Sequence, residues 1–198
     1  MNNKIFTPII PEALAHICVT VDSIDDATVL YKKLFDAQPI KHFLPVRDAN
    51  WSKNIGFSEN YNKVEVSNRF LLVPGVNLYI ELLEYHSPPS KKIIQHKPNT
   101  IQGISHICLT VPNIDQAFEY VKTFPELKIK CALKDYKKPL NIAVVKEEDF
   151  YFFDEQLEND PRYKNKAAYM TNTIRFFNFI DPYGVTWELL EGEERYGF

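Results

Sequence analysis

Residues 15–32 read AHICVTVDSIDDATVLYK, and residues 105–122 read SHICLTVPNIDQAFEYVK. When the two histidines are aligned, the copies are identical at these positions of the first one: His16, Ile17, Cys18, Thr20, Val21, Ile24, Asp25, Ala27 and Lys32. The offset between the copies is 106 minus 16, or 90 residues, which is far longer than the roughly 20 to 50 residues of solenoid and propeller repeats. The repeat therefore predicts a duplicated module.

Each copy of the module is predicted to fold as βαβββ. The histidine stretch alternates as a half-buried strand does, and a helix N-cap follows it, Ser23 in the first copy and Asn113 in the second. QPIKHFLPV and LKIKCAL are the next candidate strands. The copies then close with two strands each, VSNRFLLV and LYIELLEY or TIRFFNFI and VTWELLE, and the shared ELLE aligns Glu81 with Glu188. The predicted fold class is α+β, with two tandem βαβββ modules whose sheets form a cup-shaped cleft.

The connections between these elements set the predicted module boundaries. Residues 86–103, HSPPSKKIIQHKPNTIQG, are rich in Pro, Lys and Ser without periodicity, so they are the predicted linker. The first module is placed at 1–95 and the second at 96–198. The irregular tract 135–172 is longer than a usual connection, which predicts either a lid or binding loop or an inserted substructure. Its aromatic run at 150–153 is expected to pack rather than to contact a ligand.

Composition excludes several classes of partner. The net charge of the 198 residues is −3 with both signs intermixed, so no basic stripe predicts a nucleic-acid partner. No apolar run approaches the 18 or so residues of a membrane span, and the first residues are a poor match to a signal peptide. Cys18 and Cys108 are expected to be small buried hydrophobes. Reduced thiols favour the cytoplasm.

The face taken by each histidine and glutamate decides the chemistry. Because alternate residues of a strand share a face, His16 is expected to point away from its module's helix, and His106 likewise. The same alternation places Glu81 and Glu188 in mid-strand on the inward face. Two modules packed about a pseudo-two-fold axis would bring these four side chains to a shared centre.

Two imidazoles and two carboxylates are a ligand set for a divalent metal. The nitrogen and oxygen donors suit Zn, Ni, Co, Mn or Fe, and an octahedral ion would keep two positions open for water or substrate. Inward carboxylates without a partner would be costly, so one cation explains them better than an apolar core does. By contrast, Glu84 and Glu191 fall on the helix side of the same strands and are not expected to bind the metal. His42, His86 and His96 are expected on the surface or in the linker.

The repeated HICxTV strand, the amphipathic helix after it, the DPYGVTWELLE ending and the matching IELLE ending resemble the vicinal oxygen chelate superfamily. This superfamily includes glyoxalase I, methylmalonyl-CoA epimerase, extradiol ring-cleaving dioxygenases and antibiotic-resistance proteins. The resemblance covers nearly the whole chain. It implies one metal bound by the first-strand histidine and the last-strand glutamate of each module, which are His16, Glu81, His106 and Glu188.

The resemblance also implies a reaction. The dioxygenases use two histidines and one glutamate and need no glutamate from the first module, so the presence of Glu81 favours a lyase or isomerase of glyoxalase or epimerase type. Such an enzyme acts on a small substrate with vicinal oxygens through an enediolate or enolate, and Glu188 or Glu81 leaves the metal to act as the base. The positions that bind glutathione in bacterial glyoxalases fall at Thr20 and Tyr85, which do not match. An extradiol-type dioxygenase and a non-catalytic protein that sequesters a drug remain open alternatives, as does pairing of the modules within the chain or across a homodimer.

Overall fold

The computed structural model describes residues 13–91, 103–131 and 135–192. The strands are β1 (Ile17–Val21), β2 (Gln38–Val46), β3 (Glu65–Val73), β4 (Leu78–Ser87), β5 (Ile107–Thr110), β6 (Lys128–Lys130), β7 (Leu140–Asn141), β8 (Arg175–Ile180) and β9 (Thr186–Glu191). The helices are α1 (Ile24–Phe35), α2 (Ala49–Asn54), α3 (Ile114–Lys122), α4 (Glu155–Glu158) and α5 (Pro161–Asn172), with short 3₁₀ turns at Tyr61–Lys63 and Glu147–Asp149. This mixture of helices and sheets confirms the predicted α+β class.

The chain divides into two compact units, Met1–Lys92 and Ile93–Phe198. The predicted boundary between residues 95 and 96 lies outside the described residues. None of the helices in the described ranges combines the length and the apolar character needed to cross a membrane.

The first unit is a four-stranded sheet with the order β1-β4-β3-β2. The strand β1 is parallel to β4 and places Cys18 opposite Glu81, whereas β3 is antiparallel to β4 and places Phe70 opposite Glu81. Between β2 and β3 the chain inserts α2 and a 3₁₀ turn. The predicted βαβββ order is therefore confirmed, with a small helical insert before its third strand.

The second unit repeats this topology with the order β5-β9-β8-β6, and β7 pairs with β8 outside that path. Cys108 and Asn178 lie opposite Glu188 on its two sides. The tract 135–172 forms β7, a 3₁₀ turn, α4 and α5, so it is an inserted substructure, the second of the two predicted alternatives. The packing expected for its aromatic run is wrong for Tyr151 and Phe153, which are 64% and 91% exposed.

The core of each unit lies between its first helix and one face of its sheet. In the first unit the buried residues of α1 are Ile24, Ala27, Leu30 and Tyr31, and those facing them include Val19, Val21, Ile80 and Leu82. In the second unit the buried set includes Ile114, Phe118, Val121, Trp187 and Leu189. These residues all have the opposite strand parity from the two histidines and their glutamates, or belong to the helices. The predicted assignment of faces is confirmed.

The start of the first helix is capped in the same way in both units. Ser23 accepts a hydrogen bond from the backbone N–H of Asp26 at 3.2 Å, as an N-cap does. The carboxylate of Glu84 accepts from the backbone N–H of Ile24 at 2.8 Å, and in the second unit Glu191 accepts from the N–H of Ile114 at 3.1 Å. A carboxylate at a helix N-terminus satisfies an open N–H and is favoured by the helix dipole. Glu84 and Glu191 therefore lie on the helix side, as their parity predicts, and there they cap the helices.

Candidate metal centre

The first unit brings His16 and Glu81 together on the open face of its sheet. His16 directly precedes β1, and its Nε2 lies 3.2 Å from Oε2 of Glu81 in the neighbouring strand β4. The imidazole is 40% exposed and the carboxylate 15% exposed. The histidine is therefore accessible to solvent, while the glutamate is largely enclosed by neighbouring side chains. Asn68 of β3 donates from Nδ2 to Oε1 of Glu81 at 2.7 Å, and Phe70 packs edge-on against the imidazole with ring centroids 5.7 Å apart. We call the pair His16 and Glu81 the first half-site.

The second unit repeats the pair with His106 and Glu188, which we call the second half-site. Nε2 of His106 lies 3.7 Å from Oε2 of Glu188, and the two side chains are 41% and 20% exposed, close to the values of the first pair. The thiol of Cys108 donates to Oε1 of Glu188 at 3.5 Å. Both predicted histidine and glutamate pairs thus form at equivalent places of the two sheets.

The donor separations fit adjacent ligands of one metal ion. Two ligands at about 2.1 Å from an ion, on neighbouring corners of an octahedron, are about 3 Å apart. The 3.2 Å of the first half-site matches that separation, and the 3.7 Å of the second is slightly wider. Within the described residues, no group of three or more His, Cys, Asp and Glu side chains that could hold an ion is present in either unit. Each unit therefore brings together two donors, one imidazole nitrogen and one carboxylate oxygen.

Two cysteines lie beside the glutamates rather than in the core. Cys18 is exposed and Cys108 is half-buried, so the expectation that both are buried hydrophobes is wrong. Alternation places them on the same open face as the histidines two residues before them. Partial desolvation by the neighbouring strands, followed by the negative charge of Glu81 and a hydrogen bond to it, raises the pKa of Cys18 to about 12. In the metal-free protein this thiol is therefore protonated at neutral pH.

The other described histidines lie away from these pairs. Nδ1 of His42 is 3.1 Å from the backbone oxygen of Asn68 on the exposed edge strand β2. Nε2 of His86 is 2.7 Å from Oγ of Ser67, and its Nδ1 is 3.6 Å from the helix cap Glu84. The predicted surface position is confirmed for His42 and for His86, since both are exposed. His86 also takes part in polar contacts near the end of β4. His96 lies outside the described residues.

Sequence reasoning missed two features of the first unit. One is Asn68, which holds Glu81 from the adjacent strand. The other is a pocket beside it, between α2 and the open face of the sheet, which Trp51 helps to line. The alternation of β3 could have shown that Asn68 shares the face of Phe70, but its contact with Glu81 depends on strand register.

A family model provides the comparison that decides membership. The model described as Glyoxalase/Bleomycin resistance protein/Dioxygenase superfamily matches residues 15–143, more than half of the chain. The chain belongs to this superfamily. The matched range includes His16, Glu81 and His106. Glu188 lies beyond it, and in the internal repeat it aligns with Glu81. The predicted vicinal oxygen chelate membership is confirmed.

Solved structures of other superfamily members match both units. A glyoxalase family protein from Bacillus cereus is 14% identical with a TM-score of 0.60, covering 94% of this chain and 98% of that one. A glyoxylase/bleomycin resistance protein/dioxygenase domain from Frankia sp. EAN1pec is 12% identical with a TM-score of 0.52, covering 93% and 100%.

A variant of the fosfomycin resistance protein FosX from Listeria monocytogenes, complexed with Mn(II) and 1S,2S-dihydroxypropylphosphonic acid, is 16% identical with a TM-score of 0.50, covering 92% and 94%. At these identities the likeness establishes the fold. No curated protein gives a significant match.

Proposed function

We propose that this superfamily member is a metal-dependent lyase or isomerase of glyoxalase or epimerase type, acting on a small substrate with two adjacent oxygens. One observation carries the proposal: each unit places an imidazole Nε2 and a glutamate Oε2 within 3.2 or 3.7 Å at equivalent positions. A site with two histidines and only one carboxylate would resemble the open iron centre of a dioxygenase. A carboxylate in both half-sites supports proton transfer instead.

The metal ligands of this proposal are His16, Glu81, His106 and Glu188, for one Zn, Ni, Co, Mn or Fe ion. A divalent ion held there supplies a Lewis acid, which polarises substrate oxygens and stabilises the negative charge that develops on them. The four side chains would fix the position of the ion and so the place where negative charge on the substrate is stabilised. All four proposed ligands are nitrogen or oxygen donors, which suit these ions.

The two glutamates differ in how firmly they are held, which supports separate roles. Glu81 accepts from Asn68 at 2.7 Å and lies 3.2 Å from His16, so its orientation is fixed. The contacts of Glu188 are longer, 3.5 Å to Cys108 and 3.7 Å to His106. A group that takes a proton from one substrate atom and returns it to another has to come within hydrogen-bond reach of both atoms. We assign Glu188 as this base and Glu81 as a fixed ligand.

Metal analysis tests the ligand set. Protein purified without added metal is expected to contain close to one divalent ion per chain, whether the units pair within the chain or across a homodimer. Glu81→Gln and Glu188→Gln should each lower this content strongly, because a neutral amide is a weaker ligand than a carboxylate. The matched controls Glu84→Gln and Glu191→Gln lie in the same strands on the helix side and should keep it. Metal content that is zero in the wild type, or that falls equally in the controls, would contradict the proposal.

Isotope exchange tests the reaction. An α-hydroxy or acyl substrate incubated in D₂O should gain solvent deuterium at the carbon next to the carbonyl in the metal-loaded protein. Glu188→Gln should lose this exchange even in samples supplied with enough metal to fill the site. Oxygen uptake with catechols would instead indicate the extradiol-type alternative. Stoichiometric metal and tight ligand binding without exchange or oxygen uptake would indicate a non-catalytic resistance protein.

A further inference from the structure

A pocket of about 170 Å³ opens on the face of the first unit that carries Glu81. Its apolar walls are Phe43, Val46, Trp51, Val66 and Leu83. Two polar side chains complete it, Asp48 at the start of α2 and Asn68 in β3. All of these residues belong to the first unit.

The pocket begins directly beside the first half-site. Asn68 lines it and also donates to Oε1 of Glu81 at 2.7 Å. Leu83 is two residues after Glu81 on the same face of β4, and Asn68 is its cross-strand partner. A molecule that reaches Glu81 with one end can therefore fill the pocket with the other.

The outer wall of the pocket is fixed in place by its own contacts. Asp48 accepts from the backbone N–H groups of Asn50 and Trp51 at 2.9 Å each, which caps α2. The indole of Trp51 stacks on Tyr85 of β4 with centroids 6.2 Å apart and an interplanar angle of 29°. The wall is thus held by a capped helix and an aromatic stack, as a preformed ligand site requires.

Size and charge define what the pocket can hold. An apolar cavity of about 150 Å³ is known to bind a benzene molecule, so 170 Å³ accommodates one six-membered ring. Asp48 is the one charged residue in its lining, and its carboxylate disfavours an anionic group there. The pocket is therefore suited to a neutral apolar ring rather than to a carboxylate or phosphate.

We propose that this pocket binds a ring-sized apolar group of the substrate, whose vicinal oxygens are held at the first half-site. The inference rests on the proposed function and narrows it to substrates that carry an aryl or similarly sized apolar substituent next to the two oxygens. Asn68 links the two parts, since it touches the ring pocket and orients the carboxylate.

The first experiment tests the pocket without metal. Benzyl alcohol, which has a ring but no chelating oxygen pair, is titrated into metal-free protein while Trp fluorescence is followed. Of the two tryptophans in the chain, Trp187 is fully buried in the other unit, so a saturable change reports on Trp51. Val46→Phe should weaken this binding roughly tenfold by filling the pocket, whereas Val76→Phe, an equally exposed valine outside the pocket lining, should leave it unchanged. No saturable change in the wild type, or equal effects of the two variants, would overturn the proposal.

The second experiment links the pocket to the metal site. Mandelate and lactate share the same adjacent oxygens, and only mandelate has a ring. Calorimetry on Mn(II)-loaded protein should give at least roughly tenfold tighter binding of mandelate, a preference that Val46→Phe removes. Equal affinities on protein that does hold Mn(II) would overturn the pocket assignment and leave the proposed function standing. If the protein holds no Mn(II) but benzyl alcohol still binds, the proposed metal site fails and the ring pocket survives.

Discussion

Two glutamates of β4 test whether the two faces of this strand have different roles: Glu84 caps a helix, and Glu81 belongs to the proposed metal site. Glu84→Gln replaces a carboxylate that accepts the N–H of Ile24 at 2.8 Å by a neutral acceptor. A hydrogen bond to a charged group contributes roughly 1.5–3 kcal/mol against about 0.5–1.5 for a neutral one, and the helix dipole adds about 0.3–1 kcal/mol. Since the Glu84 side chain is 27% exposed and partly screened, the expected loss is about 1.5 kcal/mol in the free energy of unfolding.

The matched variant is Glu81→Gln, three residues earlier on the opposite face. The new side chain can still accept from Nδ2 of Asn68, so the metal-free protein should keep its free energy of unfolding within about 0.5 kcal/mol. Urea unfolding of both variants without metal measures the difference, and the same samples give their metal content. If Glu81→Gln were the destabilised variant and Glu84→Gln the one that loses metal, the assignment of faces would be refuted.

Three further changes test other contacts. Asp181 is buried and accepts hydrogen bonds from the indole of Trp187 at 3.0 Å and from two backbone amides of its own turn at 2.9 and 3.0 Å. Asp181→Ala should therefore lower the free energy of unfolding by about 3 kcal/mol or more in urea titrations. Asp181→Asn should lower it by less. Hydrogen bonds from Arg175 hold the pKa of Asp115 below its ordinary value of 3.8. These hydrogen bonds stabilise the folded protein fully above pH 3.8, and this stabilisation is lost as the pH falls through the lowered pKa that Asp115 has in the folded state. The difference in Tm between the wild type and Asp115→Asn should therefore disappear as the pH falls below 3.8. Asn68→Ala should weaken metal affinity about 10- to 100-fold in competition titrations, because it frees the carboxylate of the first half-site.

Alternation along single strands predicted the parts of the site that depend on one strand alone. It placed His16 and Glu81 on the open face and Glu84 on the helix side, and both placements are found. The same rule puts Cys18 on the open face, but the expectation for this residue followed its general tendency to be buried and was wrong. Parity says which residues share a face, while burial depends on what covers that face.

The remaining features depend on contacts between segments that no periodicity encodes. Asn68 reaches Glu81 only because β3 and β4 pair in the register that sets Phe70 opposite Glu81. The ring pocket requires α2, which lies in an insert where the repeat offers no counterpart to align. Trp51 therefore carries no signal in the sequence comparison of the two modules, although it forms a wall of the pocket.

Duplication explains why the two half-sites are alike in their donors and different in their surroundings. In each unit the histidine directly precedes one strand and the glutamate lies in the neighbouring strand. These two strands pair in the same way in both units, with Cys18 and Cys108 opposite the glutamates. The proposed metal site would require both histidine and glutamate pairs to keep this geometry. The inserts contribute no ligand to that site, so their sequences could change without affecting it. The first unit uses its insert for α2 and the ring pocket, and the second uses 135–172 for α4 and α5. Substrate preference should accordingly change with substitutions in the pocket lining while the metal content stays constant, which is the separation that Val46→Phe and Glu188→Gln are designed to reveal.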